Sequence, residues 1–393
     1  MPSTQAAVRV RGQTGPMADL LIRGAEVLGP SGPVRRDLAI VDGLVADAPA
    51  AGCEELAADE LVAAPGFVDL QCNGGHGIDL ASEPERLWEL SALLPQHGVT
   101  AWLPTIVTTP PETTDRALTT LGAGPPDGWQ GAMPLGLHLE GPFLSPEHRG
   151  AHDPRLLRAP DLERAEGWSR EAGVALVTLA PELPGAHELV EALVARGVVV
   201  SAGHTGATAA DASAAVDAGV TWVTHLWNAM APLQHREPGL VGTALGDARL
   251  RAGLIVDGIH VAPAVVALTA EAMGERLVLV TDAVSALGLP TGTHHLGSVT
   301  VVVAEGRGVR LRDGTLAGSD LSMDQAVRNL AAFTGWSLAR AAAAASTSPA
   351  TLLRDPDRGG LAIGQRGDVA LLTTDGQVVA TVVGGSVVHR RSA

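Results

Sequence analysis

The feature that most constrains this chain is a grammar repeated between residues 67 and 281: a short apolar run, a loop, then a stretch of helical length. Eight such runs occur, Phe67–Cys72, Val99–Ile106, Pro134–Leu139, Val174–Leu179, Val198–Ala202, Val220–Thr224, Ala252–Val256 and Leu277–Thr281. They are continuously apolar, as expected of parallel strands buried on both faces. Amphipathic or Ala-rich stretches such as Pro84–His97, Ala207–Ala218 and Pro263–Met273 follow most of them. Eight β/α units predict a (β/α)8 barrel of TIM type, with the helical tail Met323–Leu353 packed around it. A doubly wound open sheet shares the grammar, because periodicity does not report closure.

The flanks read differently. Residues 18–64 carry short alternating runs punctuated by Gly and Pro, and the pattern returns at Asp368–Thr373 and Val378–His389. The expected division is a small β-sandwich domain from residues 18–64 plus 360–393, beside a catalytic barrel of residues 65–359, with residues 1–17 a disordered leader. The first 16 residues lack the apolar centre of a signal peptide, and no run approaches the roughly 18 apolar residues of a membrane span. Two cysteines, Cys53 and Cys72, form no CxxC and no disulfide framework. The expectation is a reduced, cytoplasmic protein without a membrane partner.

Composition removes whole classes of function. The 43 Asp and Glu against 27 basic residues give a net charge of −16, and aromatics are 3% with no Tyr, so nucleic acid is excluded as a partner. There is no lysine, so all 27 cations are arginine. A P-loop, a Schiff-base enzyme and a metal pair bridged by a modified lysine are therefore ruled out. No G-x-S-x-G is present, which disfavours a serine nucleophile.

Polar residues at the carboxyl ends of the strands carry the functional signal, since barrel active sites are built there. Glu140 ends MPLGLHLEG, His204 ends GVVVSAGH, His225 ends VTWVTH and Asp282 ends LVLVTD. Each alone has a blander reading: a hydrogen-bonded surface histidine, a turn-capping Glu, an N-capping Asp. Independent capping does not put four such residues on four strands at one end. Two His and one Glu form a standard catalytic zinc set with a position open for water. A divalent ion makes hydroxide available near neutral pH, and Asp282, not needed as a ligand, is left as general base and acid. The predicted reaction is metal-assisted hydrolysis.

Other polar residues concern the substrate. The loop Thr224–Gly239 exposes Asn228, His235 and Arg236, and the segment Asp257 to His260 ends another strand. An Arg and a His converging there would suit an anionic group, although Arg236 could instead pair with Glu237. His152 lies on a loop a dozen residues past Glu140. His294 and His295 are read as adjacent surface residues on a loop, and His76, His97, His148, His187 and His389 carry no spacing signal.

Taken together, PGFVDLQCNG (65–74), GLHLEGPFL (136–144), RGAH (149–152), SAGHTGA (201–207), THLWNAM (224–230), REPGLVGTAL (236–245), DGIHVAP (257–263), LVTDA (279–283) and GTLAGSDLSMDQAVRNL (314–330) resemble the N-acetylglucosamine-6-phosphate deacetylases of the amidohydrolase superfamily. The match runs in family order from about residue 18 to the C-terminus. The resemblance implies a homodimer that removes the acetyl group of N-acetyl-D-glucosamine 6-phosphate, giving D-glucosamine 6-phosphate and acetate. It implies metal binding by Glu140, His204 and His225, and Asp282 as general base and acid. It implies that His152 polarises the amide carbonyl, that Asn228 and the backbone at Ala229 contact the sugar phosphate, and that Arg236 and His260 bind the phosphate, Arg236 from the partner subunit.

Many amidohydrolases end the first strand in His-x-His and bind a second metal there, whereas this chain has Gln71 and Asn73, amides that ligate zinc or iron poorly. One divalent ion per subunit is expected, zinc first, with iron, manganese or cobalt admitted by the same ligands. Cys72, between the two amides, should point away from the site. Two rival activities share the chemistry: deacetylation of another acetamido sugar (the galactosamine 6-phosphate epimer or an unphosphorylated sugar) and hydrolysis of an N-acyl amino acid. A non-catalytic barrel scaffold is the rival of a different class.

Overall fold

The computed structural model describes residues 18–29, 32–296, 299–304 and 306–391, so the expected leader lies outside the described residues. Eight parallel strands form the centre: β1 (Phe67–Cys72), β2 (Val99–Val107), β3 (Leu137–Glu140), β4 (Val174–Leu179), β5 (Val199–Ala202), β6 (Trp222–Val223), β7 (Arg251–Leu254) and β8 (Leu277–Leu279). Each is hydrogen-bonded in parallel to the next in sequence. The last meets the first through a parallel bridge between Cys72 and Ala283 and through Asp282 N–H donating to Gln71 O at 2.8 Å. That contact closes the barrel and removes the open-sheet alternative.

Two runs differ from their sequence reading. The third is split into Met133–Pro134, which pairs with β2, and β3, with Gly136 at φ +119° between them. The helical tail divides into three helices, Met323–Thr334, Leu338–Ala345 and Thr347–Leu352. Helix starts follow local signals. Thr208 and Asp211 form a reciprocal capping box at the start of Ala209–Ala218, four residues after His204. The barrel core is fully enclosed, with Phe67, Trp102 and Trp222 essentially without exposure.

Strands from both ends of the chain meet beside the barrel. One sheet runs Leu44–Ala46, Leu38–Val41, Leu20–Arg23, Glu54–Ala57, and a six-stranded sheet joins Glu26–Gly29, Gly32–Arg35 and Val62–Pro65 to Val369–Leu372, Val378–Val383 and Ser386–Arg390. Leu20, Ile22, Ile40, Val27, Val369 and Val382 share a core between them. Gly385, at φ +83°, has no room for a side chain, because a Cβ there would lie 1.9 Å from Ala18 O.

A third sheet was not anticipated. Gly292–Leu296, Val299–Ala304 and Gly308–Leu311 form an antiparallel ribbon, so His294 and His295 lie on a strand and not on a loop. His294 Nε2–H donates to Pro290 O at 2.8 Å. Val301, Val303 and Val309 pack on Val284, Ala286 and Ala317, which places this sheet against the segment that follows Asp282.

Candidate active site

Gln71, near the end of β1, and Asn73, one residue past it, meet the acids of other strands. Gln71 Nε2–H donates to Glu140 Oε1 at 3.2 Å and to Asp282 Oδ1 at 3.1 Å, and Asn73 Nδ2–H donates to the same Asp282 oxygen at 2.8 Å. Turning either amide over would set its oxygen against a carboxylate, so electrostatics fixes both orientations. The Cys72 thiol, between the two amides, is wholly buried and contacts Gly74 O.

Glu140, His204 and His225 converge from three strands. Glu140 Oε1 is 3.1 Å from His204 Nε2 and 3.1 Å from His225 Nε2, and the two nitrogens are 3.0 Å apart. His204 Nδ1 lies 2.9 Å from the His148 carbonyl, which can only accept. Its proton is therefore on Nδ1, and Nε2 presents a lone pair to the other two donors. A carboxylate and imidazole lone pairs this close repel one another unless a cation lies among them. A tetrahedral ion with bonds of about 2.1 Å separates its ligands by about 3.4 Å, close to the observed spacing. The donor set fits a divalent metal, and all three residues are buried.

His152 also approaches, within 4.8 Å of Glu140 and His204, but its protonation gives it a different part. Thr108 N–H, a donor with no choice, points at His152 Nδ1 at 3.3 Å, and the Thr108 hydroxyl is 2.8 Å from the same nitrogen. Nδ1 is thus the acceptor and Nε2 carries the hydrogen. Burial pushes this histidine down to about 3, so it is a neutral donor at physiological pH. Gly150 makes this approach possible. Its φ is +57°, and a Cβ there would lie 3.3 Å from His204 Cε1.

Asp282 is held by two amides rather than capping a helix, and its main-chain oxygen accepts from Ser319 N–H at 2.8 Å. Burial and the Glu140 charge raise its pKa to about 6, against lowering by His225, His260 and the Asn73 bond. His204, His225 and Asp282 all have positive φ, at +50°, +31° and +49°, as does Ala229 at +50°. Such backbone costs on the order of 1–3 kcal/mol per residue and concentrates at functional sites. Here it aims strand-end side chains across the barrel mouth.

The substrate candidates are placed less uniformly. Asn228 Nδ2–H donates to His225 O at 3.1 Å, and Ala229 O accepts from Thr205 N–H at 3.1 Å, so both lie beside the ligands. His260 sits on the loop after β7, its ring against Asp257 at 2.6 Å. Arg236 is exposed on the loop after β6 and makes no hydrogen bond or ion pair with any described residue. Its pairing with Glu237 is not formed, because Glu237 Oε1 accepts from Ala209 N–H and Gly239 N–H.

Sequence reasoning missed the supports. Glu182 accepts from the Thr205 hydroxyl and from Gly206 N–H at 2.7 Å, fixing the loop after His204. Thr108 and the His148 carbonyl have no sequence signal, since their value lies in long-range contacts.

A closed (β/α)8 barrel with buried Glu, His and Asp at the carboxyl ends of its strands defines a barrel hydrolase. The amidohydrolase family pattern matches residues 62–388. The chain belongs to the amidohydrolase family. It is 40% identical to N-acetylglucosamine-6-phosphate deacetylase of Homo sapiens, covering 95% of this chain and 92% of that protein. It is 38% identical to N-acetylgalactosamine-6-phosphate deacetylase of Escherichia coli O157:H7, covering 85% and 90%. A mutant N-acetyl-D-glucosamine-6-phosphate deacetylase from Mycobacterium smegmatis, solved with N-acetyl-D-glucosamine-6-phosphate, superposes with a TM-score of 0.82 at 36% identity, covering 94% and 99%. No helix among the described residues is long and apolar enough to cross a membrane.

Proposed function

We propose that this chain hydrolyses the acetamide of N-acetyl-D-glucosamine 6-phosphate, releasing acetate and D-glucosamine 6-phosphate. The observation that carries the reading is the convergence of Glu140, His204 and His225 beside an Asp282 held by two amides. Similarity along nearly the whole chain to enzymes named for this reaction supports the substrate.

Glu140, His204 and His225 would hold one divalent ion, zinc first, supplying Lewis-acid activation of water and the amide carbonyl when bound. Gln71 and Asn73 put neutral amides, poor ligands for zinc or iron, at the end of the first strand, which favours a single ion. Asp282 takes the proton of the attacking water and returns it to the departing amine nitrogen. His152, neutral and protonated at Nε2, donates to the carbonyl oxygen as charge develops there. Asn228 and the Ala229 backbone hold the sugar phosphate, and His260 and Arg236 hold the phosphate itself. Arg236, exposed and unpaired, serves this purpose from the partner subunit of a homodimer. The catalytic unit is the barrel of residues 65–359, with residues 18–64 and 360–393 as its sandwich, in a cytoplasmic enzyme.

The relative that acts on the galactosamine epimer supports a second reading, in which the 4-hydroxyl configuration differs. Acetate release from the two 6-phosphates and from unphosphorylated N-acetylglucosamine tests both. Highest kcat/KM on the glucosamine 6-phosphate is expected. Preference for the galactosamine compound would select the second reading, and preference for the unphosphorylated sugar would remove the phosphate roles.

A further inference from the structure

At the phosphate end of the site, the two donors are built in opposite ways. Arg236 is unpaired on an exposed loop, whereas the His260 side chain is 5% exposed and locked to its neighbour. Asp257 makes three bonds at once: Oδ2 lies 2.6 Å from His260 Nδ1, and Oδ1 accepts from Ile259 N–H and His260 N–H, each at 2.8 Å. The side chain of Asp257 is itself only 7% exposed, so this carboxylate is committed to the loop and not to solvent. The loop has little freedom. Val256 O accepts from Asn329 Nδ2–H at 2.7 Å, and Gly258 at φ +75° packs under the Phe333 ring.

We infer that Asp257 is a positioning residue for phosphate recognition: by fixing Nδ1 of His260 it turns Nε2 of that ring outward, towards the 6-phosphate of the substrate. A carboxylate can only accept, so the ring must present its proton at Nδ1 to this partner, and Nε2 is left as the atom that meets a ligand. A loop histidine without such a partner would rotate about two side-chain torsions. Part of the binding energy would then go to ordering it. With Nδ1–H held by the carboxylate, Nε2 donates to a phosphate only when the ring carries both protons, and Asp257 at its back is the counter-charge of that imidazolium. His260 follows the carboxyl end of β7, the neighbour of the strand that leads to Asp282, which places it at the mouth of the barrel. The inference rests on the phosphate role of His260 proposed above. It adds that recognition is set by a residue that never touches the substrate.

The test compares Asp257→Asn, Asp257→Ser and His260→Ala in the full-length, metal-loaded enzyme. Ser keeps a short acceptor for the loop N–H groups but cannot reach the ring, so it guards against loop collapse. Two readouts are used: kcat/KM on N-acetylglucosamine 6-phosphate relative to N-acetylglucosamine, and binding of inorganic phosphate followed by the 15N signals of the His260 ring. In all three proteins the phosphorylated-to-unphosphorylated ratio should fall about tenfold, mainly through KM. Phosphate should bind about tenfold more weakly in the two Asp257 variants, with the Nδ1 signal moved from its hydrogen-bonded position. Adding Asp257→Asn to His260→Ala should cost nothing further. A lowered ratio in His260→Ala alone overturns the inference and leaves the phosphate reading standing. An unchanged ratio in His260→Ala overturns the phosphate reading itself. Equal losses on both substrates assign Asp257 a structural role only and also overturn the inference.

Discussion

Asn73→Leu isolates one hydrogen bond to the proposed base. Asn73 is 7% exposed, and its amide is 2.8 Å from Asp282 Oδ1, beside the Gln71 amide at 3.1 Å on the same oxygen. Leucine has similar bulk and keeps water from filling the gap. A hydrogen bond to a charged group contributes about 1.5–3 kcal/mol. At about 1.4 kcal/mol per pKa unit, removing it raises the Asp282 pKa by about one to two units. The direction follows from the bond itself, which favours the carboxylate form and so lowers the pKa. The base works as a carboxylate, so activity is present above its pKa and lost below it. The acidic limb of kcat/KM against pH should therefore move up by about one to two units, with about ten- to hundredfold less activity on that limb and a nearly unchanged plateau. Acetate release across pH, with thermal melting to confirm folding, measures this. An acidic limb that stays in place in a folded variant refutes the assignment of that limb to Asp282.

The other predictions are simpler. Asp282→Asn should cut kcat by about 10²–10⁴, the usual contribution of a general acid–base group, while the bound ion is retained. Metal analysis on the same sample separates that from loss of the ion. Thr108→Val keeps the backbone N–H at His152 but removes the hydroxyl, so kcat should fall severalfold with KM little changed. An equal loss from Thr108→Ser, which keeps the hydroxyl, would contradict that account. Phe67→Ala, at the fully buried start of the strand that carries Gln71, should destabilise the fold by about 3–5 kcal/mol in denaturant melts.

Much of the site was legible because barrels concentrate chemistry at one place in a strand. Continuous apolar runs located the eight strands. A Glu, two His and an Asp just past their ends then had to share one mouth once the sheet closed. Closure itself was not legible, since it rests on the pairing of Cys72 with Ala283, far apart in sequence. The strands Gly292–Leu296, Val299–Ala304 and Gly308–Leu311 are not read from the sequence, although the valines at 299 and 301 to 303 carry a strand composition. The adjacent His294 and His295 read instead as a loop pair. What ranks one histidine as ligand and another as donor was also hidden. His204 is set by a backbone carbonyl from His148, and His152 by the Thr108 N–H, groups every residue has and only folding selects.

The central claim is that one ion held by Glu140, His204 and His225 supports acetate release from an amino-sugar phosphate. The direct test removes metal by chelation and restores it stepwise, with bound metal and turnover of N-acetylglucosamine 6-phosphate followed on the same samples, for the parent protein and Glu140→Gln. Activity should rise in proportion to metal and saturate at about one ion per chain, with Glu140→Gln retaining little of either. Saturation at two ions, or turnover that survives full removal of metal, would contradict the account.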